Sequence, residues 1–298
     1  MKYCALVDFL DKYNIKYKTN EKTALLVSIR VGGIAPIVVY PDTIEQLCVL
    51  LKYISGKYRY YLLGNWTNTY FCDFYDGVVI STKNLNRIFS RSNEIEAECG
   101  ASLTGCAVYA YKNKLSGLEF AYGIPGFVGG SLYMNASAYD SSISNILKEC
   151  LVYDIDSEST CVLQNKDLMF KEKHSIFMEK RLAILKASFS LNIDNKDKIK
   201  AKMDEYQQRR SNSQPLDIPS AGSAFKRPKY NYASKLIDEA GLKGYSIGDA
   251  QISTKHAGFI VNKGSASSSD IRELIRFIKL EIKNKFNIDL EEEIIYVE

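Results

Sequence analysis

The segment GIPGFVGGSLYMNASAY, residues 123–139, holds the densest group of glycines in the chain. Glycine lets a backbone adopt positive φ and approach a ligand closely, and consecutive exposed N–H groups in such a loop bind anions such as a diphosphate. A tight structural turn explains the same residues equally well, because the spacing differs from the GxGxxG pattern of dinucleotide sites. The segment therefore predicts a sharply bent backbone, with phosphate binding as one of two interpretations.

The elements around this segment mix strand and helix patterns. Apolar runs predict strands at 25–33, 37–40, 58–64, 77–82, 149–163 (with a turn at Asp156–Ser157), 183–191 and 256–262. Apolar residues with helical spacing predict helices in the opening segment, at 41–54 with Asp42 or Thr43 as cap, near 106–114, at 194–210 and at 267–286. The strand–helix–strand order of the first 82 residues is typical of an α/β domain.

The composition is that of a folded globular protein. The 298 residues are 46% hydrophobic and 25% charged, and the length allows two or three domains. The net charge of +4 does not indicate a nucleic-acid partner. No run of about 18 apolar residues occurs, so we expect no membrane span, and the amphipathic opening segment does not resemble a signal peptide.

Cysteine and histidine usage restricts the chemistry further. All seven cysteines lie within the first 161 residues, and none forms a CxxC pair. An odd number without an export signal favours free thiols in a reducing cytoplasm. With only two histidines, His174 and His256, we expect no metal site. Each histidine is interpreted as a packed or surface residue.

The segment SAGSAFKRP, residues 220–228, is a second candidate site. Ser223 precedes Lys226 and Arg227 closely, so its hydroxyl could donate a proton beside cations that hold an anion. An ordinary turn serine is the simpler interpretation from the residues alone. The segment also lacks the GxSxG pattern of a hydrolase nucleophile.

The C-terminal segment LEEEIIYVE, residues 290–298, contains three consecutive glutamates. A solvated charged surface is the favoured interpretation. If Ile294 and Tyr296 face one side of a strand, alternation places Glu293 on the other side with Glu291. One of these carboxylates could then point into a cleft.

Five blocks of the sequence together resemble the UDP-N-acetylenolpyruvoylglucosamine reductase family, also called UDP-N-acetylmuramate dehydrogenases. These blocks are IRVGGIA (29–35), LSGLEFAYGIPGFVGGSLYMNASAY (115–139), QPLDIPSAGSAFKRP (214–228), KLIDEAGLKGYSIGDAQISTKHAGFIVN (235–262) and LEEEI (290–294). The resemblance spans nearly the whole chain and is strongest to the shorter subclass, which lacks an extra tyrosine-bearing loop.

The resemblance implies an α+β fold with a two-subdomain FAD-binding region of the vanillyl-alcohol-oxidase/PCMH type and a C-terminal α+β substrate-binding domain. The expected divisions are 1–82 and 83–195 for the two FAD-binding subdomains and 196–298 for the substrate domain. The family relationship also implies a cytoplasmic protein, and we expect a monomer without nucleic-acid or membrane partners.

The activity implied by the resemblance is a step of peptidoglycan precursor synthesis. NADPH reduces the flavin, and the reduced flavin passes a hydride to C3 of the enolpyruvyl group of UDP-N-acetylglucosamine enolpyruvate. A serine then protonates C2 to give UDP-N-acetylmuramate, while an arginine and a glutamate stabilise charge on the carboxylate side.

The residues that match the family's motifs follow by position. The implied catalytic residues are Ser223, Glu293 and Lys173, and the implied substrate-binding residues are Lys226 and Arg227. The implied cofactor-binding residues are Arg30, Gly32, Gly33, Gly64, Asn65, Thr67, Asn68, Gly123, Ile124, Pro125, Gly126, Gly129, Gly130 and Ser131.

Two departures from the family's pattern affect this site. A loop that resembles GGGSN in the family reads GNWTN at residues 64–68, where side chains could block the flavin diphosphate or force positive φ on Trp66. A motif that resembles YRDSIF reads EKHSIF at 172–177, so Lys173 replaces the catalytic arginine and lacks its two-pronged donor. Loss of one charge-assisted bond costs about 1.5–3 kcal/mol.

Three hypotheses follow from these motifs and departures. The leading one is an FAD-dependent reductase of this family, slowed by Lys173. The second is a non-catalytic relative with a degraded flavin site, which binds a UDP-sugar or a protein. The third is an FAD oxidoreductase of the same fold that acts on another substrate.

Overall fold

The computed structural model describes residues 2–139 and 141–298, and the chain divides into two compact units. The first unit comprises the chain up to Thr19, Ile37–Asn65 and Gly77–Gln208. The second comprises Asn20–Pro36, Trp66–Asp76 and Arg209–Glu298.

Helices and strands are interleaved along the chain. The α-helices are α1 (Cys4–Lys12), α2 (Ile44–Ile54), α3 (Leu103–Lys112), α4 (Val128–Tyr133), α5 (Ile143–Ile146), α6 (Lys196–Ser213), α7 (Ala233–Glu239) and α8 (Ser268–Phe286). Short 3-10 helices lie at Thr23–Leu25, Glu119–Ala121, Asn165–Leu168 and Ile176–Met178. The strands are β1 (Lys16–Lys22), β2 (Ile34–Tyr40), β3 (Tyr60–Leu63), β4 (Thr69–Phe71), β5 (Val78–Ser81), β6 (Ile88–Arg91), β7 (Glu94–Glu98), β8 (Leu115–Ser116), β9 (Ser137–Ala138), β10 (Ser141–Ser142), β11 (Leu147–Asp154), β12 (Ser159–Gln164), β13 (Leu182–Ser190), β14 (Asn192–Ile193), β15 (Ser220–Ser223), β16 (Ser246–Ile247), β17 (Ala250–Ile252), β18 (Phe259–Asn262) and β19 (Ile295–Val297).

The first sheet has the strand order β1-β2-β5-β3 and contains the expected strand–helix–strand unit. Strands β2 and β3 both run parallel to β5, since Ile37 and Tyr60 each pair with Val78. Helix α2 connects them and begins at the predicted cap, where the Thr43 hydroxyl accepts a hydrogen bond from the Gln46 N–H at 3.2 Å. The helix buries one apolar face: Leu47, Leu50, Leu51 and Ile54.

The second sheet is antiparallel, with the order β12-β11-β13-β7-β6. Asp154 pairs with Ser159, which closes a hairpin at the predicted turn. Ala187 of β13 pairs with Ala97 of β7, and both side chains are buried. Apolar side chains from both sheets and from helices α1–α4 form one core cluster within the first unit.

The second unit is built on an antiparallel sheet with the order β15-β18-β17-β16. Helix α8 begins at a capping box in which Ser267 and Asp270 exchange hydrogen bonds. It buries the predicted face, Ile271, Leu274, Ile275, Ile278 and Ile282. Strands β4 and β19 pair in parallel through Tyr70 and Tyr296. The mixture of parallel and antiparallel sheets with helices confirms the predicted α+β class.

The strand predicted at 25–33 is wrong. Arg30 has a φ of 57°, which interrupts an extended backbone. Gly32 and Gly33 pack so closely that a Cβ on Gly33 would lie 1.6 Å from the Asp73 carbonyl oxygen. Val27, Ile29 and Val31 are therefore buried in a bent loop, while Leu25 is exposed. Single-sequence periodicity does not distinguish such a loop from a strand.

Three further observations concern the cysteines, membrane-spanning helices and metal sites. All seven cysteines are free thiols. Within 2–139 and 141–298, no helix is long and apolar enough to cross a membrane. No cluster of three or more His, Cys, Asp or Glu side chains that could hold a metal ion is found in those same residues.

Candidate active site

The glycine-rich segment forms a bent loop in the first unit that is tied to the start of helix α3. Gly123 has a φ of +85°. The Thr104 hydroxyl accepts a hydrogen bond from the Gly123 N–H and donates one to the Ile124 carbonyl, both at 3.1 Å. The Leu103 N–H donates to the Gly126 carbonyl at 2.9 Å. These contacts hold the loop in one conformation, and they leave its glycine surface uncovered.

The surface beyond this loop is bare backbone. A Cβ on Gly130 would meet no atom within 4 Å, whereas a Cβ on Gly129 would lie 3.1 Å from that of Cys99. Gly64 approaches the same place, since its Cβ would lie 3.7 Å from the Gly130 nitrogen. The Ser131 hydroxyl donates to the Phe127 carbonyl at 2.8 Å. Gly64 therefore lies beside the open Gly130 of helix α4. A side-chain-free surface of this kind suits a diphosphate and fits the FAD expected from the sequence.

The first departure from the family's loop is accommodated at Asn65. Its side chain is exposed, and its amide nitrogen donates a hydrogen bond to the Pro125 carbonyl. The amide therefore joins the GNWTN loop to the glycine-rich loop. A side chain at this position links two predicted cofactor-binding segments, and it leaves the open space at Gly130 in place.

Trp66 is accommodated differently. Its φ is 56°, so the expected positive φ is confirmed. The indole is only 7% exposed and stacks on Phe71 with 5.8 Å between the ring centroids. Its carbonyl accepts a hydrogen bond from the Ser28 N–H at 3.1 Å. The large side chain is therefore packed inside the second unit.

The Arg30–Gly33 loop has structural reasons for its glycines. A Cβ on Gly32 would lie 2.3 Å from the Thr23 hydroxyl oxygen. The Asn262 side chain, itself buried, donates to the carbonyls of Ile29 and Arg30 at 3.0 and 3.4 Å. Arg30 is exposed. Packing alone explains the glycine at position 32, while the arginine side chain remains accessible to a ligand.

Thr67 and Asn68 follow Trp66 in the second unit. The Asn68 amide donates to the Glu293 carbonyl at 2.9 Å, and the Asn68 carbonyl accepts from the Ile295 N–H at the same distance. Asn68 therefore holds the C-terminal strand by two backbone positions on either side of Ile294.

Ser223 and Glu293 lie on adjacent strand segments of the second unit. The Glu293 N–H donates to the carbonyl of Ala224, the residue after Ser223, at 2.9 Å. The Lys226 N–H donates to the Glu291 carbonyl at 2.8 Å, which continues the antiparallel pairing. Ser223 and Glu293 are both half-buried. The structure thus pairs the backbone next to Ser223 with the backbone of Glu293, 70 positions away in the sequence.

The alternation expected at the C-terminus is only partly realised. Ile294 is buried, but Tyr296 is half-buried and its ring meets that of Tyr70 at 5.0 Å. Glu293 is half-buried, whereas Glu291 is exposed. The hydrogen bonds to Ala224 and Asn68 therefore affect the conformation of this segment more strongly than the alternation of a regular strand does.

The two implied substrate-binding cations are already engaged within the second unit. Lys226 forms an ion pair with Glu291. The Arg227 guanidinium stacks on the ring of Tyr232 at 4.0 Å from its centroid. Tyr232 lines a surface pocket of about 470 Å³, and its other lining residues are Ser213, Ser234, Lys235, Asp238, Lys243, Lys255, His256 and Ala257.

This pocket contains residues that sequence reasoning did not single out. Its lining holds three lysines and one aspartate. Lys243 pairs with Asp238 at 2.6 Å, and Lys235 pairs with Glu239 at 3.7 Å. The His256 Nδ1 accepts from the Gly258 N–H at 3.1 Å, and burial lowers the pKa of this imidazole. His256 is therefore neutral at pH 7, with its proton on Nε2. The segment STKHAG, which lies within the family-like block 235–262, could have identified Lys255 and His256.

Lys173 lies at the tip of a two-residue turn in the first unit. Lys171 and His174 exchange backbone hydrogen bonds of 3.2 and 3.3 Å across it, and Lys173 has a φ of 52°. The Asn135 amide donates to the Lys171 carbonyl at 3.0 Å. The buried Ser175 hydroxyl donates to the Tyr133 carbonyl at 2.7 Å. The turn is therefore anchored on both arms.

Comparison with known proteins places these features in a family. Residues 214–297 match the family described as UDP-N-acetylenolpyruvoylglucosamine reductase, C-terminal domain, and residues 35–158 match an FAD binding domain. The chain is 41% identical over 292 residues to the UDP-N-acetylenolpyruvoylglucosamine reductase of Caldicellulosiruptor saccharolyticus, covering 97% of this chain and 94% of that protein. It is 45% identical over 279 residues to the protein of the same name from Pseudothermotoga lettingae, covering 93% and 96%.

A solved structure agrees with these sequence matches. The crystal structure of UDP-N-acetylenolpyruvylglucosamine reductase from Thermus caldophilus is 28% identical, with a TM-score of 0.80 and coverage of 95% of this chain and 99% of that one. The matches to these relatives and to this structure each extend over more than nine-tenths of the chain. The chain belongs to the UDP-N-acetylenolpyruvoylglucosamine reductase family.

Proposed function

We propose that this protein catalyses the FAD-dependent, NADPH-driven reduction of UDP-N-acetylglucosamine enolpyruvate to UDP-N-acetylmuramate in peptidoglycan precursor synthesis. The observation that carries this proposal is the pairing of the Ser223 strand with the Glu293 segment through the Ala224 carbonyl. Family membership over more than nine-tenths of the chain supports it.

We assign the cofactor to the open glycine loops. The backbone at Gly64, Gly123 and Gly130 would hold the diphosphate. The Thr104 hydroxyl fixes Gly123, and Gly130, which lies beside Gly64, has open space where a side chain would be. When bound, FAD supplies the hydride carrier between NADPH and the substrate. The remaining implied residues, from Arg30 to Asn68 and from Ile124 to Ser131, belong to the same assignment.

We assign the proton donor to Ser223 and the electrostatic roles to Glu293 and Lys173. The Ser223 hydroxyl would deliver a proton to C2 of the substrate after hydride arrives at C3. The Lys173 ammonium would attract the substrate carboxylate as a point charge, where the family's motif has an arginine. Pairing with Ala224 holds Glu293 in place on the neighbouring strand.

We assign the lysine-lined pocket to the nucleotide part of the substrate. Its volume of about 470 Å³ is within the usual range for small-molecule sites. Lys235 and Lys255 supply positive charge for a diphosphate, and Tyr232 supplies an aromatic face that Arg227 already stacks against. Lys226 and Arg227 border this pocket in sequence, which agrees with their implied role.

We further propose three functional divisions, 1–82, 83–195 and 196–298. The parallel sheet falls within the first, the five-stranded antiparallel sheet within the second, and the β15–β18 sheet within the third. We also propose that the protein is a monomer. We propose a cytoplasmic location, because the free thiols suit a reducing compartment.

A degraded flavin site is not favoured by the contacts of the substituted loop. Asn65 bonds to the glycine-rich loop, and Trp66 packs on Phe71. Both side chains therefore have places that leave Gly130 open. The non-catalytic alternative rested on these two residues and on Lys173.

The first test is the visible absorption spectrum of the purified protein, followed by stopped-flow mixing. We expect flavin bands that NADPH bleaches and that UDP-N-acetylglucosamine enolpyruvate then restores. A colourless protein that takes up no added FAD would refute the proposal. Bleaching without restoration would indicate a different substrate.

The Ser223→Ala variant tests the proton donor in the same instrument. We expect flavin reduction by NADPH to keep its rate, and reoxidation by the substrate to fall about 10²- to 10⁴-fold, as for loss of a general acid. Ser220→Ala, on the same strand, is the matched control and should leave both rates unchanged. Equal effects of the two variants would assign the loss to strand β15 rather than to the hydroxyl.

A further inference from the structure

His174 has acceptors at both ring nitrogens. Its Nε2 lies 2.9 Å from the Glu179 carboxylate oxygen Oε1, and its Nδ1 lies 3.4 Å from the Met169 carbonyl oxygen. The His174 side chain is 26% exposed and that of Glu179 is 50% exposed.

These two contacts join the arms of the turn that carries Lys173. Met169 precedes the turn and itself has a φ of 51°, while Glu179 follows the short 3-10 helix Ile176–Met178. His174 is the residue next to Lys173, so its ring connects the chain before the turn with the chain after it. The groups within hydrogen-bonding distance of the ring are thus one carboxylate and one carbonyl.

Positioning matters more for a lysine than for an arginine at this place. A guanidinium presents five donors in a rigid plane, whereas an ammonium is a compact charge on a flexible four-carbon stem. Because the ammonium is less pre-organised than a guanidinium, its position depends more on the constraints around the residue. A turn with one residue at positive φ is a suitable place for an external constraint.

We propose that His174 and Glu179 form a positioning pair that holds the turn of Lys173 and so directs its ammonium towards the substrate carboxylate. This proposal rests on the proposed function for the role of Lys173. His174 does not touch the substrate in this role. The arginine of the family's motif is positioned partly by its own rigid shape. At Lys173, the contact between His174 and Glu179 beside the turn supplies part of that positioning.

The kinetic test uses Glu179→Gln, which keeps the size of the side chain and removes its charge. We expect reoxidation of the reduced flavin by the enolpyruvyl substrate to slow roughly 3- to 10-fold, as for loss of one partly exposed charged contact. Flavin reduction by NADPH and the affinity for FAD should stay unchanged. Glu179→Asp should recover part of the loss.

Two comparisons separate positioning from general destabilisation. In a Lys173→Ala background, Glu179→Gln should have no further effect on reoxidation, because the pair acts through Lys173. Asp204→Asn is the matched control, since it removes the exposed Lys200–Asp204 ion pair of helix α6, and it should alter neither half-reaction. An equal loss from Glu179→Gln with and without Lys173 would overturn the proposal.

A measurement without turnover tests the pair even if the substrate is not the one proposed. In protein labelled with ¹⁵N-lysine, the Lys173 amide is assigned by its absence in Lys173→Arg. We expect this amide signal to move on Glu179→Gln and to stay in place on Asp204→Asn. An unmoved Lys173 amide would refute the positioning pair, whereas a parent protein that bleaches but is not reoxidised would refute only the proposed substrate.

Discussion

At the scale of single residues, Trp66 combines an unfavourable backbone with a favourable side chain. A φ of 56° on an aromatic residue costs on the order of 1–3 kcal/mol. Burial of the indole against Phe71 offsets this, since truncation of a buried Trp costs about 3–5 kcal/mol. The glycine typical of the family's loop would remove the strain and the packing together.

The residue-scale prediction is that Trp66→Gly lowers the free energy of unfolding by about 1–3 kcal/mol, because lost packing exceeds relieved strain. Urea denaturation followed by circular dichroism measures the change. Trp66→Phe, which keeps an aromatic ring near Phe71, should lose less. A Trp66→Gly protein as stable as the parent would mean that backbone strain fully offsets burial of the indole.

At the scale of elements, the turn between Lys171 and His174 determines how the implied arginine position is presented. Its arms are bonded to each other, to the Asn135 side chain and, through the Ser175 hydroxyl, to the Tyr133 carbonyl. These bonds do not involve the side chain at position 173. The residue at position 173 changes the number and geometry of hydrogen-bond donors at the tip of the turn.

The element-scale prediction is that Lys173→Arg accelerates reoxidation of the reduced flavin by the substrate, by up to about 10-fold. The reason is that a guanidinium can donate two bonds to a carboxylate where an ammonium acts as a point charge. Single-turnover stopped-flow absorbance measures the rate, with Lys171→Arg in the same turn as control. An unchanged rate would show that residue 173 does not reach the substrate.

At the scale of the whole molecule, buried thiols in the core of the first unit make the free energy of unfolding depend on pH. Burial raises the pKa values of Cys99, Cys106 and Cys150 from 9.0 to about 12 each. The unfolded chain releases these protons near pH 9, whereas the folded protein keeps them. Their contribution to stability is therefore complete below pH 9 and is lost as the pH rises towards 12.

The whole-molecule prediction is that the free energy of unfolding decreases between about pH 9 and pH 11, because ionisation of the thiols favours the unfolded chain. Urea denaturation under reducing conditions measures it at each pH. A variant with alanine at all three buried cysteines should show a shallower decrease. The Cys4→Ala/Cys161→Ala variant changes only exposed thiols and should match the parent, and a parent as steep as the triple variant would contradict the assignment.

Elements with a strong local pattern were predictable from the sequence. Helix α8 was confirmed in its cap at Ser267 and in its buried face, and the hairpin at Asp156–Ser157 was confirmed in its place. Strand β1 was missed because its residues, KYKTNEK, are all exposed or half-buried at the edge of the sheet and carry no apolar alternation. The loop 25–33 was misassigned because burial of a bent backbone produces the same apolar run as a strand.

The candidate site divided in a similar way. Ser223, Glu293 and Lys173 could be named by resemblance, since each lies within a motif of a few residues. Their roles remain predictions for the experiments above. The pocket around Tyr232 was not named, because its lining comes from segments between Ser213 and Ala257 that share no local pattern.

The amino-acid sequence by itself determined the helices with a strong apolar pattern, the hairpin at Asp156–Ser157 and the identity of the motif residues, because these depend on neighbours within a few positions. Only the tertiary structure decided that the Ala224 carbonyl accepts from the Glu293 N–H and that Asn65 bonds to Pro125. Hydrogen bonds between distant segments form only when packing of the cores brings their backbones together, and no local spacing encodes that pairing.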